Sequence, residues 1–556
     1  MFKIIQSARR LLPLAAVLLA FPASSRQIAP GQSGVTFRTR SELVLVPVVV
    51  TKGGAHVAGL KKRDFAVRDR GREQTIAVFE EVSSAPSPPA ARPANEFTNF
   101  LPEDAAPKHL TIFVLDLVNT PFLRQADARD QLLRTLAKHV DSSEPKALVT
   151  FSRSGVRLIH DFTRDPAVLA AALRKVSGAA PAGLGANEVL SREIEDLQRS
   201  SSPTVIQPDA EPTQERMDAL LQKQAIQATL EDFRDLAKAF EGIPGRKTLV
   251  WITAGYPFLI SRPSIGARGL GAAGSSRFEG ATDMVSMAEK TWQLLNAANI
   301  AVYPVDARGL FNPGYSDVTV RMPSGLQDWL VTNHQTNTAT MQNFASNTGG
   351  VACVDRADLD PCFRSALADS TAYYLLGYYL DPQQAKPGWH QLEVKTRQRG
   401  TRLRARAGFF VPEPRVAPAQ PDNSDIEDAL RSPLDYTAVP FAVRWTGVSG
   451  AGAQRQARFQ VRLMADAFTI EEKEGNHVSL EVNAVALTDK GTAAALRGRL
   501  VEAHFRPESL ARIRRDGLTY ADALDLAPGE YTVRFIVRDN LSGRLGSVSA
   551  PLRVAP

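Results

Sequence analysis

The sequence predicts an α/β protein: a doubly wound, mostly parallel sheet, with a small N-terminal β module before it and a β-sandwich after it. Three observations predict this. Apolar, strand-like runs recur between residues 108 and 412, with helix-period segments between most of them. Pro-rich breaks divide the 556-residue chain. Both ends carry short strand-like spans joined by turn signals. A chain this long argues for more than one domain, and its apolar fraction of 44% is that of globular protein.

The first segment, "MFKIIQSARRLLPLAAVLLAFPASSRQ", sets a basic start before an apolar run at 11–21 and the small residues Ala23, Ser24 and Ser25. That is the pattern of a secretory signal peptide over 1–25, and its apolar run is too short to span a bilayer. No cysteine follows the run, and no later segment reaches spanning length. The mature chain is expected to be secreted, periplasmic or surface-associated, with no transmembrane segment after signal removal. Its formal charge of +7 falls to +4 when Lys3, Arg9 and Arg10 leave with the signal. No Lys/Arg block points to nucleic acid.

Residues 35–83 read as the small β module: a continuous apolar run at 43–50, the turn "TKGG", then "DFAVRDRGREQTIAVFE" alternating around a turn at 69–71. "SSAPSPPAARPANE" opens a linker over 84–107. The central domain, 108–412 with a trailing β segment, carries "LTIFVLD" (110–116), "ALVTFS" (147–152), "VRLIHDF" (156–162), "KTLVWIT" (247–253), "IAVYPVD" (300–306) and "TAYYLLGYYL" (371–380). Helix-period segments lie at 124–140, 214–240 and 282–299. The pair joined by "RSG" reads as a hairpin with one antiparallel edge strand. Gly/Pro/Ser/Ala-rich stretches at 178–212 and 256–280 read as long loops.

Arg402, Arg404 and Arg406 fall on one strand face by their period of two. They form an anionic-partner patch or a solvated face, and the frequency of exposed arginines favours the second. A second linker spans 413–429. From 430 to 556, short alternating strands suggest an Ig-like or fibronectin-like sandwich, with "NLSG" at a hairpin turn. Cys353 and Cys362, an even pair in an exported chain, read as a disulfide closing a short loop. Asp355, Asp358 and Asp360 between them lack the turn glycine and terminal Glu of a calcium loop.

The ordered segments "HLTIFVLDLVNT", "RKTLVWITAGYP", "NIAVYPVDARGL", "NFASNTGGVACV" and "AYYLLGYYLDP", with "VAGLKKRDFAVRDRGREQTIAVFEEV" upstream, resemble the VWFA-related family of acidobacterial type, a branch of von Willebrand factor type A domains. The resemblance covers roughly 35–412. It implies a secreted or surface-associated protein and a metal-ion-dependent adhesion site at the upper edge of the sheet. Such a site opens with Asp-x-Ser-x-Ser after the first strand and adds a Thr and an Asp from later loops. Carboxylates and hydroxyls there suit the octahedral oxygen demand of magnesium.

Laid on this chain, the motif gives Asp116, Val118 and Thr120. Asp116 matches, Thr120 substitutes for Ser, and Val118 cannot ligate. "SGAAPAGLGANEVL" offers no Thr, and Ala254 stands where the later Asp belongs. The resemblance therefore implies a degenerate site of Asp116 and Thr120, with Mg2+ the one cofactor left open. Asn119 joins the binding rim through its side-chain carbonyl oxygen, or caps the next helix or makes an Asx-turn. Asp306 ends another strand on the same edge; it either lines that rim or caps a turn and pairs with Arg308.

No Gly-x-Ser-x-Gly elbow, phosphate loop or His-Glu-x-x-His zinc motif is present, and "FSRSG" (151–155) lacks the leading glycine. The eight histidines, His334 among them, are scattered. An enzyme is not expected. The expected function is binding of an envelope or extracellular protein, an adhesion-type role at the cell envelope, through the rim. The alternative is a structural or assembly role with the rim inert and the β modules making the contacts.

Overall fold

The computed structural model describes residues 42–555 except 84–94, 101–108, 121, 140–143, 177–211, 256–280, 312–323, 382, 384, 412–422, 451–452, 465 and 473–474. The signal segment and nearly all of the two Gly/Pro-rich loops lie outside the described residues, as does much of both linkers. Glu42–Pro556 forms one compact unit.

The described residues open with β1 (Glu42–Lys52), β2 (Ala55–His56), β3 (Phe65–Asp69), β4 (Arg72–Gln74) and β5 (Val78–Ser83), then β6 (Glu96–Thr98). Next come β7 (His109–Asp116), α1 (Phe122–His139), β8 (Lys146–Ser152), β9 (Gly155–Thr163), α2 (Pro166–Arg174), α3 (Pro212–Phe240), β10 (Arg246–Thr253), α4 (Ala281–Ala297), β11 (Ile300–Asp306), α5 (Ser324–Thr348) and α6 (Asp360–Thr371). Four strands follow: β12 (Ala372–Leu380), β13 (Gly388–Thr396), β14 (Arg402–Arg404) and β15 (Gly408–Val411). The last part holds α7 (Ser424–Arg431), β16 (Phe441–Ser449), β17 (Arg455–Leu463), β18 (His477–Leu487), β19 (Ala493–His504), α8 (Pro507–Asp516), β20 (Leu518–Leu526), β21 (Gly529–Asp539) and β22 (Arg544–Val554).

The expected fold class is corrected by the strand pairing. This is a mixed α/β protein in which, among the described residues, four of five sheets are antiparallel, not a protein organised by one doubly wound parallel sheet. Among the described residues, parallel ladders join only β7 to β8, β7 to β10 and β10 to β11. That five-stranded sheet, in the order β11-β10-β7-β8-β9, places β7 at its centre. Its strands are apolar on both faces because both are covered. Ile112, Val114, Leu249 and Trp251 pack toward α3, α4 and α5. Phe113, Leu115, Val250 and Ile252 pack toward α1, α2 and α6.

The run at 371–380 was expected to extend the parallel sheet. Instead β12 pairs antiparallel with both β1 and β5, far upstream in the chain. Its aromatic hydroxyls explain the docking. Tyr374 donates to the Val57 carbonyl at 2.7 Å, and Tyr378 to Asp69 at 3.1 Å. Gly377 permits the close approach, since a Cβ there would lie 2.8 Å from Val78 Cβ. β13 likewise pairs with the early strand β3 and carries β15 on its other side, in the order β15-β13-β3-β4. The small β module is thus completed by the segment that trails the parallel sheet.

The predicted linker contains β6, which pairs with β16. Asn99 locks it: its amide donates to the Tyr436 and Val439 carbonyls at 2.6 and 2.9 Å, and its oxygen accepts the Phe441 N–H at 2.9 Å. Two four-stranded antiparallel sheets, β20-β17-β16-β6 and β19-β18-β21-β22, then share one apolar core. Two of the three arginines also depart from a solvated face, while Arg402 is exposed. Arg404 binds Asp369 at 2.6 Å, and buried Arg406 donates to the Leu45 carbonyl at 2.7 Å. Among the described residues no helix is long and apolar enough to cross a membrane.

Candidate functional site

The strand order reverses between β7 and β10, so the crevice outside their carboxyl ends is where an open α/β sheet would hold a ligand. Asp116 ends β7 there and is fully buried. Its Oδ1 accepts the N–H groups of Val118 and Asn119 at 2.9 and 3.0 Å. Its Oδ2 accepts from Asn119 Nδ2 at 2.8 Å, Thr253 Oγ1 at 2.7 Å and Trp251 Nε1 at 3.1 Å. Five donors occupy a carboxylate with about four lone-pair directions. Burial pushes its pKa above the ordinary value, and the hydrogen bonds from Asn119, Thr253 and Trp251 oppose that rise.

The neighbours close the crevice rather than line it. Asn119 also donates to Thr229 Oγ1 of α3 at 2.7 Å, tying strand end to helix. Thr120 is buried; its hydroxyl accepts the Ala254 N–H at 3.2 Å and its carbonyl accepts Gln125 Nε2 at 2.8 Å. Val118 belongs to the apolar core. The metal expectation for Asp116 and Thr120 is therefore corrected: magnesium needs oxygen lone pairs facing an opening, and these face protein donors. Among the described residues no three His, Cys, Asp or Glu side chains are grouped to hold a metal ion.

Asp306 lies on the same edge, where it takes the turn-capping role. Its Oδ1 accepts Arg308 N and Nε, each at 2.9 Å, and its Oδ2 accepts Arg308 Nη2 at 2.6 Å. Nearby, His334 of α5 binds Asp355 at 2.9 Å and stacks on Phe311 with ring centroids 3.8 Å apart. Burial lowers the His334 pKa, and the positive Arg308 adds to this. Cys353 and Cys362 are bonded, their Cα atoms 5.9 Å apart, and the Cys353 carbonyl accepts the Asp306 N–H at 2.9 Å. The rim residues are brought to one edge, but Asp116 and Asp306 serve separate hydrogen-bond groups.

Sequence reasoning missed two features. The first is Asp232, whose Oδ2 is buried with no hydrogen-bond partner. Burial pushes its carboxyl up to about 9, with the charges of Asp116, Asp235 and Glu231 adding to the effect. The signal was present: Ala225, Thr229, Asp232, Leu236 and Phe240 recur at helical spacing on one buried stripe. A carboxylate in such a stripe stays neutral rather than ionise unpaired.

The second is β19, the end strand of its sheet, which pairs with β18 alone among the described strands. Ala495 and Val501 pack against the core. Leu496 and Leu500 face the other way and are 69% and 60% exposed. The signal was two apolar sets of opposite parity in one strand, which cannot both be buried by one core.

No family model and no curated protein matches the chain. Similar solved structures include a glycosyl hydrolase family 2 member from Bacteroides cellulosilyticus, at 11% identity and TM-score 0.15, covering 33% of this chain and 20% of that one. Human COPII-coat protein Sec24c matches at 11% identity and TM-score 0.22, covering 57% and 46%. The pilus adhesin SpaC of Lactobacillus rhamnosus GG matches at 9% identity and TM-score 0.23, covering 89% and 58%. The chain spans less than two thirds of each of these proteins, and at these scores the likenesses carry no argument. The type A expectation is thus corrected by the antiparallel majority of its sheets and the lack of a metal cluster among the described residues.

Proposed function

We propose that the chain is an exported protein-binding protein of the cell envelope whose partner contacts are made by its β modules. The strand-end rim serves the fold. The observation that carries this reading is the exposed pair Leu496 and Leu500 on a strand edge that no other described strand pairs with. Large apolar side chains grouped at a free edge are a docking surface or an aggregation hazard. The signal-like segment at 1–25 supports export.

Capture from envelope extract by the immobilised full chain tests this. Wild type and Arg308→Ala should retain the same discrete protein, and Leu496→Asp/Leu500→Asp should lose it. A loss confined to Arg308→Ala would return the contact to the rim. A wild-type chain that retains no discrete protein would overturn the binding reading itself.

A further inference from the structure

The chemistry of β19 narrows the kind of partner, an inference that rests on the protein-binding reading above. A strand at a sheet end offers a row of N–H and C=O groups that only another extended chain satisfies in full. β19 is twelve residues long and regular over most of its ladder with β18. Its two faces differ. On one, Leu496 and Leu500 are exposed on either side of Gly498, over which the Asn483 side chain of β18 lies.

On the other face, Arg497 and Arg499 both reach one carboxylate, Asp522 of β20, at 3.1 and 3.7 Å. Partial burial opposes ionisation of Asp522, yet hydrogen bonds from Arg497 and Tyr520 bring its pKa down to about 2. It therefore stays charged, and one negative charge stands between two guanidiniums. Both arginines remain about half exposed, and Asp525 acts on Arg497 as a weaker second negative neighbour, so two guanidiniums stay open to solvent on that face.

We infer that β19 accepts an extended segment of another protein by strand addition, and that this segment alternates apolar with acidic residues. Period two places its apolar side chains beside Leu496 and Leu500 and its carboxylates beside Arg497 and Arg499. A second copy of this chain fits less well. Symmetric antiparallel pairing about Gly498 would join Leu496 to Leu500 but would set Arg497 opposite Arg499, and like charges directly opposite are destabilising.

The test is fluorescence anisotropy on the full chain with eight-residue peptides. One alternates Glu and Val, a second alternates Lys and Val, and a third is the Glu/Val peptide N-methylated at alternate residues. The Glu/Val peptide should bind at least about tenfold more tightly than either of the others, a difference of about 1.4 kcal/mol. Arg497→Gln/Arg499→Gln should erase the preference for Glu over Lys, and Asp522→Asn should enlarge it.

Equal binding of the Glu and Lys peptides, or indifference to N-methylation, overturns the inference. So does a dimer in sedimentation that Leu496→Asp/Leu500→Asp dissociates. If extract capture still depends on the two leucines while the Glu/Val peptide fails, the inference falls and the protein-binding reading stands. If capture fails as well, both fall.

Discussion

The carboxyl rim of the parallel sheet and the edge strand β19 make opposite use of their side chains. At the rim, a carboxylate, an amide and two hydroxyls sit where a ligand would be expected, and each is satisfied by its neighbours. At β19, leucines and arginines lie where a soluble strand would carry only solvating residues, and neither set is fully used. Polar chemistry at a strand end therefore marks a binding site only when lone pairs or donors remain open. Residual unsatisfied surface is the better guide.

The largest effect that would break this comparison comes from Asp116→Ala. It leaves five donors without an acceptor in the interior, and should cost on the order of 4 kcal/mol, read as a large fall in denaturation midpoint. A rim built for binding would instead give weaker capture with an unchanged midpoint.

Asp232→Asn sharpens the account of the rim's interior. The folded-state pKa of Asp232, about 9, lies above its ordinary value of 3.8. Between those values the folded chain holds a proton that the unfolded chain has released, so stability falls as pH rises through this window. The Asn variant lacks this loss. It should match wild type near pH 4 and exceed it by an amount on the order of a few kcal/mol at pH 8. Parallel pH dependences in the two proteins would show that Asp232 is ionised in the fold.

Leu496→Asp/Leu500→Asp probes the other region. Both side chains are exposed, so stability should change by no more than about 0.5 kcal/mol while capture is lost. A drop of several degrees in melting would mean that these leucines pack in the free protein. Smallest of all is the effect of magnesium. With no open ligand set among the described residues, roughly 10 mM should shift melting by less than about 1 °C; a larger shift reversed by chelation would restore a metal to the rim.

Much of the local structure was legible. The apolar runs ending at Asp116, Thr253 and Asp306 are strands, and the "RSG" pair is a hairpin. Partners were not legible, because period and composition report how a strand is buried and not what it pairs with. "TAYYLLGYYL" is apolar enough for a central parallel strand, and only Tyr374 and Tyr378, needing acceptors that early strands supply, set its true place.

The same holds for the site. Asp116 was found at its strand end, but its five donors come from residues up to 137 positions away, so sequence could not show that the carboxylate was already saturated. Asn119 and Arg308 could have warned of it, since each is a donor within three residues of an acidic strand end. β19 was overlooked because "AAALRGRL" shows its meaning only when one face is known to be buried.

Native-state hydrogen exchange of the full chain tests the central contrast most directly. The amides of Val118, Asn119 and Ala254 donate to Asp116 or Thr120, and should exchange as slowly as those of the β7 core. In β19, the amides facing β18 should be protected and the alternate ones should exchange as freely as exposed backbone. Fast exchange at the rim, or protection of both rows of β19 in the unbound protein, would contradict the account.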